Sequence, residues 1–159
     1  MASVEANLKK LGITLPTPAT PVANYVPAVI TGNLLVISGQ LCLNAEGKVE
    51  EHHRGKLGEA VTLEVGQAAA RQCAINLLAQ AKAALDGDLA RIKRCIRLGG
   101  FINASPTFAA VPQVMNGASD LMVDVFGEIG RHSRSTVGVA QLPLDCAVEV
   151  EAMFEIAPH

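Results

Sequence analysis

"SRSTVGVAQLPLDCAVEVEA", residues 133–152, contains two runs of alternating side chains on either side of a Leu-Pro turn. Side chains on a strand point to opposite faces in turn, so each run reads as a strand with two chemically different faces. In the first run Arg134 and Thr136 share a face with Gly138. In the second, Glu149, Glu151 and Met153 share one face, while Val148, Val150, Ala152 and Phe154 take the other. Val and Ala would pack more readily on a strand than an arginine and a glutamate. The pair Arg134 and Glu149 is therefore either a surface salt bridge or the working part of the molecule. A guanidinium fork holds a carboxylate by two parallel hydrogen bonds, and a nearby carboxylate can orient water or take its proton.

The rest of the chain supplies the remaining elements. Residues 4–12 suit a short helix with Lys9 and Lys10 in its last turn, and the prolines of "TLPTPATP" impose an extended path after it. "YVPAVITGNLLVIS" holds two apolar runs joined by Gly32-Asn33, a hairpin signal. From Val61 to Leu85 the period becomes helical, with Leu63, Gly66, Ala70, Ala74, Leu77, Ala81 and Leu85 on one stripe and Gly87 as the stop. "IKRCIRLGGFIN" reads as a strand with Ile96, Leu98, Gly100 and Ile102 on one face. Pro112 suits the first turn of a second long helix with the stripe Val114, Ala118, Leu121 and Val125, in which Asn116-Gly117 is a weak point. Gly127 or Gly130 ends it. One sheet covered on one side by two helices accommodates this order, a single α+β domain over residues 1–159.

The chain is 159 residues long with 50% apolar and 18% charged residues, only 3% aromatics, and a mean hydropathy of +0.31. So little charge coats a full surface poorly, and the uncovered sheet face must meet something apolar, so self-association is expected. A net charge of −2 gives no general attraction to nucleic acid or an anionic membrane. No run approaches the length of a membrane span, and "MASVEANLKKLGI" has no apolar leader core, so a cytoplasmic protein is expected. Cys42, Cys73, Cys95 and Cys146 are dispersed without a CxxC and read as buried thiols. His52-His53 reads as part of a solvated loop, since adjacent residues point apart and no third metal ligand is spaced to join them. His132 reads as a loop histidine, and "ARIKRCIR" as a solvated strand face without aromatics for base stacking. Neither "GITLPTP" nor "GNLLVISG" has the spacing of a phosphate loop, so no metal and no cofactor is expected.

The quoted stretch and "ANYVPAVITGNLLVISGQ" (residues 23–40) together resemble the YjgF/RidA family, also called reactive-intermediate deaminases. The most specific parts are the hairpin ending in "SGQ" and the "RS-x-VxVxxLPxDxxVEVEA" ending, and the resemblance runs from about Val22 to Ile156. "VMNGASDLMVDVFGEIGRHSRSTVG" looks like a separate branch of that family with a longer amino-terminal arm, residues 1–21. The resemblance implies a chorismate-mutase-like fold, a homotrimer around a central barrel, and clefts between subunits. It also implies hydrolysis of 2-imino and enamino acids to 2-oxo acids and ammonia, on a small substrate bearing a carboxylate. By motif, Arg134 resembles the arginine that holds the substrate carboxylate and Glu149 the glutamate that activates water. Tyr25 resembles the tyrosine closing the cleft, and Ser38 and Gly39 the pair lining it. The family cysteine two residues after the arginine is Thr136 here, which suits hydrolysis without a covalent intermediate. A family asparagine early in the second helix falls near Pro112, which cannot supply its side-chain contacts. Two other classes stay open: a 2-oxo acid binding or regulatory protein without efficient catalysis, and an endoribonuclease or translation inhibitor, for which the chain lacks a placed histidine pair and a basic groove.

Overall fold

A computed structural model describes residues 2–18 and 20–158. The chain runs α1 (Val4–Lys10), β1 (Ala28–Thr31), β2 (Leu34–Leu41), α2 (Leu63–Ala84), β3 (Ile92–Asn103), α3 (Val111–Phe126), β4 (Ser133–Val139) and β5 (Val148–Ile156). The five strands make one mixed sheet in the order β1-β2-β5-β3-β4, in which only β3 and β4 run parallel. This is the expected α+β architecture, with α2 and α3 packed on one face of the sheet. The amino-terminal helix adds to the helical layer, its Asn7 Nδ2 donating to the Val125 carbonyl of α3 at 2.9 Å. Among the described residues no helix is long and apolar enough to cross a membrane.

The alternation read in the last strand is realised residue by residue. Val148, Val150, Ala152, Phe154 and Ile156 are buried and the residues between them half-buried. Phe154 meets Phe126 of α3 with ring centroids 6.1 Å apart. On α2, Gly66, Ala70, Ala74, Leu77 and Ala81 are buried, and Thr62 caps the helix by accepting from the Val65 N–H at 3.3 Å. At the hairpin, Gly32 takes the left-handed φ of 59° that the tight turn requires.

The face expected for β3 is half right. Pairing with β5 slips between Ile92 and Arg94 and again between Cys95 and Arg97, so Lys93 and Ile96 are extra residues in bulges. The core face is accordingly Ile92, Cys95, Leu98, Gly100 and Ile102, while Ile96 stays half-buried. A bulge resets a period-2 pattern without any mark in composition.

Candidate functional site

Arg134 lies on β4, the edge strand of the sheet, with Arg134 opposite Leu98, Thr136 opposite Gly100 and Gly138 opposite Ile102 of β3. That is the face carrying the helices, and α3 reaches the guanidinium from it. Arg134 Nη1 donates to Asn116 Oδ1 at 2.9 Å and to Ser119 Oγ at 3.0 Å, and Nη2 donates to the Pro112 carbonyl at 3.1 Å. Among the described residues these bonds use three of the five guanidinium N–H donors and leave the Nε–H and one Nη2–H for a ligand. Two residues along the strand, Thr136 Oγ1 is buried with no hydrogen-bond partner among the described residues. A buried hydroxyl without a partner is costly unless water or a ligand completes it.

Glu149 is on the other face. Its partners across the sheet are Phe101 and Leu41, and it is half-buried beside Glu151. Burial, reinforced by the Glu151 charge, raises the Glu149 carboxyl above its ordinary value. Gly39, in the irregularity of β2 between Ile37 and Gln40, makes room for it, since a Cβ there would lie 2.5 Å from Glu149 Oε2. Ser38 Oγ donates to the Val26 carbonyl at 2.8 Å and the Ser38 N–H to the Pro27 carbonyl at 2.9 Å. These bonds tie down the segment bearing Tyr25, whose side is open to solvent at 57% exposure.

The sequence-based candidates thus form two groups. Arg134 and Thr136 gather with α3 on the helix-bearing face; Ser38, Gly39 and Glu149 gather at the β2–β5 side, where Ser38 bonds the Val26-Pro27 segment next to Tyr25. Within one chain the sheet separates Arg134 from Glu149, so the two do not form a salt bridge. Among the described residues Arg97 pairs with Glu151 on the bare face, at 3.3 Å. Pro112 contributes its carbonyl rather than a side chain, and the asparagine contact comes one helical turn later, from Asn116. The sequence marks Asn116 only as a weak helix point and does not single out Ser119. Their spacing of three, which places both on one helix side toward β4, was the available signal.

Other expectations need correction. His53 is not solvated: it is 7% exposed in a short 3₁₀ turn, Glu51–His53, with both ring nitrogens unpartnered among the described residues. Burial lowers its pKa. The cysteines are free and buried, as expected, but three of them converge. Cys73 and Cys146 both donate to the Val148 carbonyl, at 3.3 and 3.4 Å, with Cys42 beside them. Among the described residues no group of three or more His, Cys, Asp or Glu is arranged to hold a metal ion. The basic run does not make one face either: Arg91 sits in a 3₁₀ turn and donates to the Ala157 carbonyl at 3.2 Å.

Comparison with known proteins gives a consistent picture. The chain is 51% identical over 154 residues to Protein TCP17 of Trypanosoma cruzi, covering 96% of this chain and 94% of that protein. A crystal structure from Agrobacterium tumefaciens, of a protein with unknown function, superposes with a TM-score of 0.89 at 48% identity, covering 97% of this chain and 92% of that one. A 2-iminobutanoate/2-iminopropanoate deaminase of Dermatophagoides farinae is 28% identical over 144 residues, 91% of this chain and 94% of its own length. The family model described as "YjgF/chorismate mutase-like, putative endoribonuclease" matches residues 5–156. The chain belongs to that family, the YjgF/RidA family.

Proposed function

We propose that this protein hydrolyses 2-imino and enamino acids to 2-oxo acids and ammonia, in clefts between the subunits of a homotrimer. The observation that carries the reading is Arg134, a cation on a strand, fixed by three acceptors of α3 and keeping two donors for an anion. A carboxylate accepts two parallel N–H bonds, so the free donors suit the carboxylate of a 2-imino acid. The distant deaminase relative supports the same chemistry.

In this reading the imine carbon faces water activated by Glu149 of a neighbouring subunit, since the sheet keeps a chain's own Glu149 from its own Arg134. Water adds its oxygen to the C=N carbon and yields a proton to the carboxylate. That proton then reaches the nitrogen to give a carbinolamine, whose hydroxyl proton passes by the same carboxylate to the nitrogen as the C–N bond breaks and the C=O bond forms, so that ammonia leaves a 2-oxo acid. In this reading Thr136, two residues along the strand from Arg134 and on the same face, turns its buried, unpartnered hydroxyl to the water or the imine nitrogen. Gly39 leaves space for the Glu149 carboxylate, and Ser38 steadies the segment that brings Tyr25 over the cleft. No metal or nucleotide enters these steps.

The shared cleft requires a second subunit, a homotrimer is the assembly that the family resemblance implies, and the bare sheet face suits it. That face carries Val29, Val36, Phe101, Val137 and Met153, of which Val29 and Val137 are exposed at 50% and 48%. Sedimentation is expected to give three copies of the 16.6 kDa chain, and a monomer at micromolar concentration would dismantle the shared cleft.

The raised Glu149 carboxyl has a kinetic consequence. A base must be ionised to work, so activity is lost as the pH falls through the folded value, and the acid limb of kcat/KM, which reports the free enzyme, is displaced upward from the ordinary carboxylate value. Glu149→Gln should lower kcat by about 100-fold, the general-base contribution, with little change in KM, and should abolish that limb. The assay is release of ammonia and 2-oxo acid from an imino acid generated in place by an amino-acid oxidase. Tight 2-oxo acid binding without turnover in the wild-type protein would favour the binding-protein reading instead.

A further inference from the structure

His132 donates or accepts at both ring nitrogens, and the partners decide which. Its Nδ1 lies 2.6 Å from the Gly130 carbonyl, which can only accept, so Nδ1 carries a proton. Its Nε2 lies 2.8 Å from Ser119 Oγ. Ser119 Oγ in turn accepts from Arg134 Nη1 at 3.0 Å. A hydroxyl has one proton to give, and in this arrangement it goes to Nε2 of a neutral ring.

We infer that Ser119 and His132 are positioning residues for Arg134, forming a one-way hydrogen-bond chain from guanidinium to hydroxyl to imidazole to the Gly130 carbonyl. The inference rests on reading Arg134 as the carboxylate clamp. Asn116 and Pro112 hold the guanidinium from the first turns of α3, and the chain holds it from the next turn, which leaves the fork one orientation. Ser119 alone would do this poorly. Its hydroxyl is a free rotor, and a helical serine readily donates to the carbonyl four residues earlier instead. The imidazole removes that freedom by taking the proton.

The surroundings of His132 favour the neutral ring. Burial lowers its pKa and the Arg134 charge lowers it further, against the effect of the Gly130 bond. The charged groups around it are Asp120 of α3, Arg131 and Arg134, which together with Ser119, Val123 and His132 line a cavity of about 260 Å³. Arg131 is engaged by Glu128, at 3.0 Å. A protonated ring would turn Ser119 Oγ into a double acceptor between two cations, with its own proton displaced.

The test has a spectroscopic and a kinetic arm, both on the full chain. Nitrogen-15 correlation spectra of the wild-type protein should show His132 as the Nδ1–H tautomer, whereas free imidazole side chains favour the other; an Nε2–H tautomer overturns the chain. In steady-state hydrolysis of an imino acid, Ser119→Ala and His132→Phe should each raise KM by about tenfold, one charge-assisted hydrogen bond, with kcat little changed. His132→Gln keeps an acceptor for the Ser119 hydroxyl and should restore most of the loss. The double variant Ser119→Ala/His132→Phe should be no worse than either single one, because both cut the same chain. Additive losses, or a wild-type KM in His132→Phe, overturn the inference. Arg134→Ala separates the two levels: if it is crippled while His132→Phe is normal, only the positioning chain fails, and if it is itself normal, the clamp reading fails.

Discussion

Arg134→Ala lowers kcat/KM for a 2-imino acid by on the order of 100-fold or more while the fold survives. The size follows from the two donors left free by α3. Charge-assisted hydrogen bonds contribute about 1.5–3 kcal/mol each, and each 1.4 kcal/mol is about tenfold in rate. Arg134→Lys should recover little, because an ammonium is a point charge without a fork and cannot replace both the substrate contacts and the three bonds to Asn116, Ser119 and Pro112. The three bonds to α3 are lost too, but they lie at the sheet edge outside the packed core, two of them exposed so that water replaces them, and the thermal midpoint should fall by no more than a few degrees. Wild-type rates in Arg134→Ala, with its assembly unchanged, would return the arginine to an edge-strand residue that merely braces α3.

The largest expected effect on stability is at Gly117. By helix propensity alone Gly117→Ala should stabilise α3 by about 1 kcal/mol. The structure reverses the sign. A Cβ at Gly117 would lie 2.0 Å from the Gln67 carbonyl oxygen and 2.8 Å from its carbon, so α2 and α3 meet there backbone to backbone. Neither side of that contact is a flexible side chain, so the helices must part. Overpacking of this kind costs about 1–3 kcal/mol, and opening the helix pair adds to it. For a chain of this size a net loss of about 2–3 kcal/mol lowers Tm by roughly 5–10 °C. Because α3 also carries Asn116 and Ser119, the variant should lose activity in the fraction that remains folded. A thermal melt with unchanged or raised Tm would show that the helices separate at no cost.

The elements themselves were legible in the chain. The strict alternation from Val148 to Ile156, the small-residue stripe of α2 and the Gly32-Asn33 turn each report a local period, and local periods follow from backbone geometry. Arg134 and Glu149 were also marked, because a charge on an otherwise apolar strand has no packing reason to be there. What the local pattern did not contain is adjacency. The strands flanking the Leu-Pro turn follow each other in sequence, yet β3 lies between them, parallel to β4 and antiparallel to β5. That insertion places Arg134 against α3 and Glu149 on the bare face, so the pair that looked like one site is divided by the sheet. Asn116, Ser119 and His132 join Arg134 only because α3 packs over the β4 edge. Gly117 changes from a weak helix position to a required one for the same reason. Periodicity states which residues share a face of one element; which element that face meets is decided by burying the apolar surface of all of them at once, and this is a property of the tertiary structure alone.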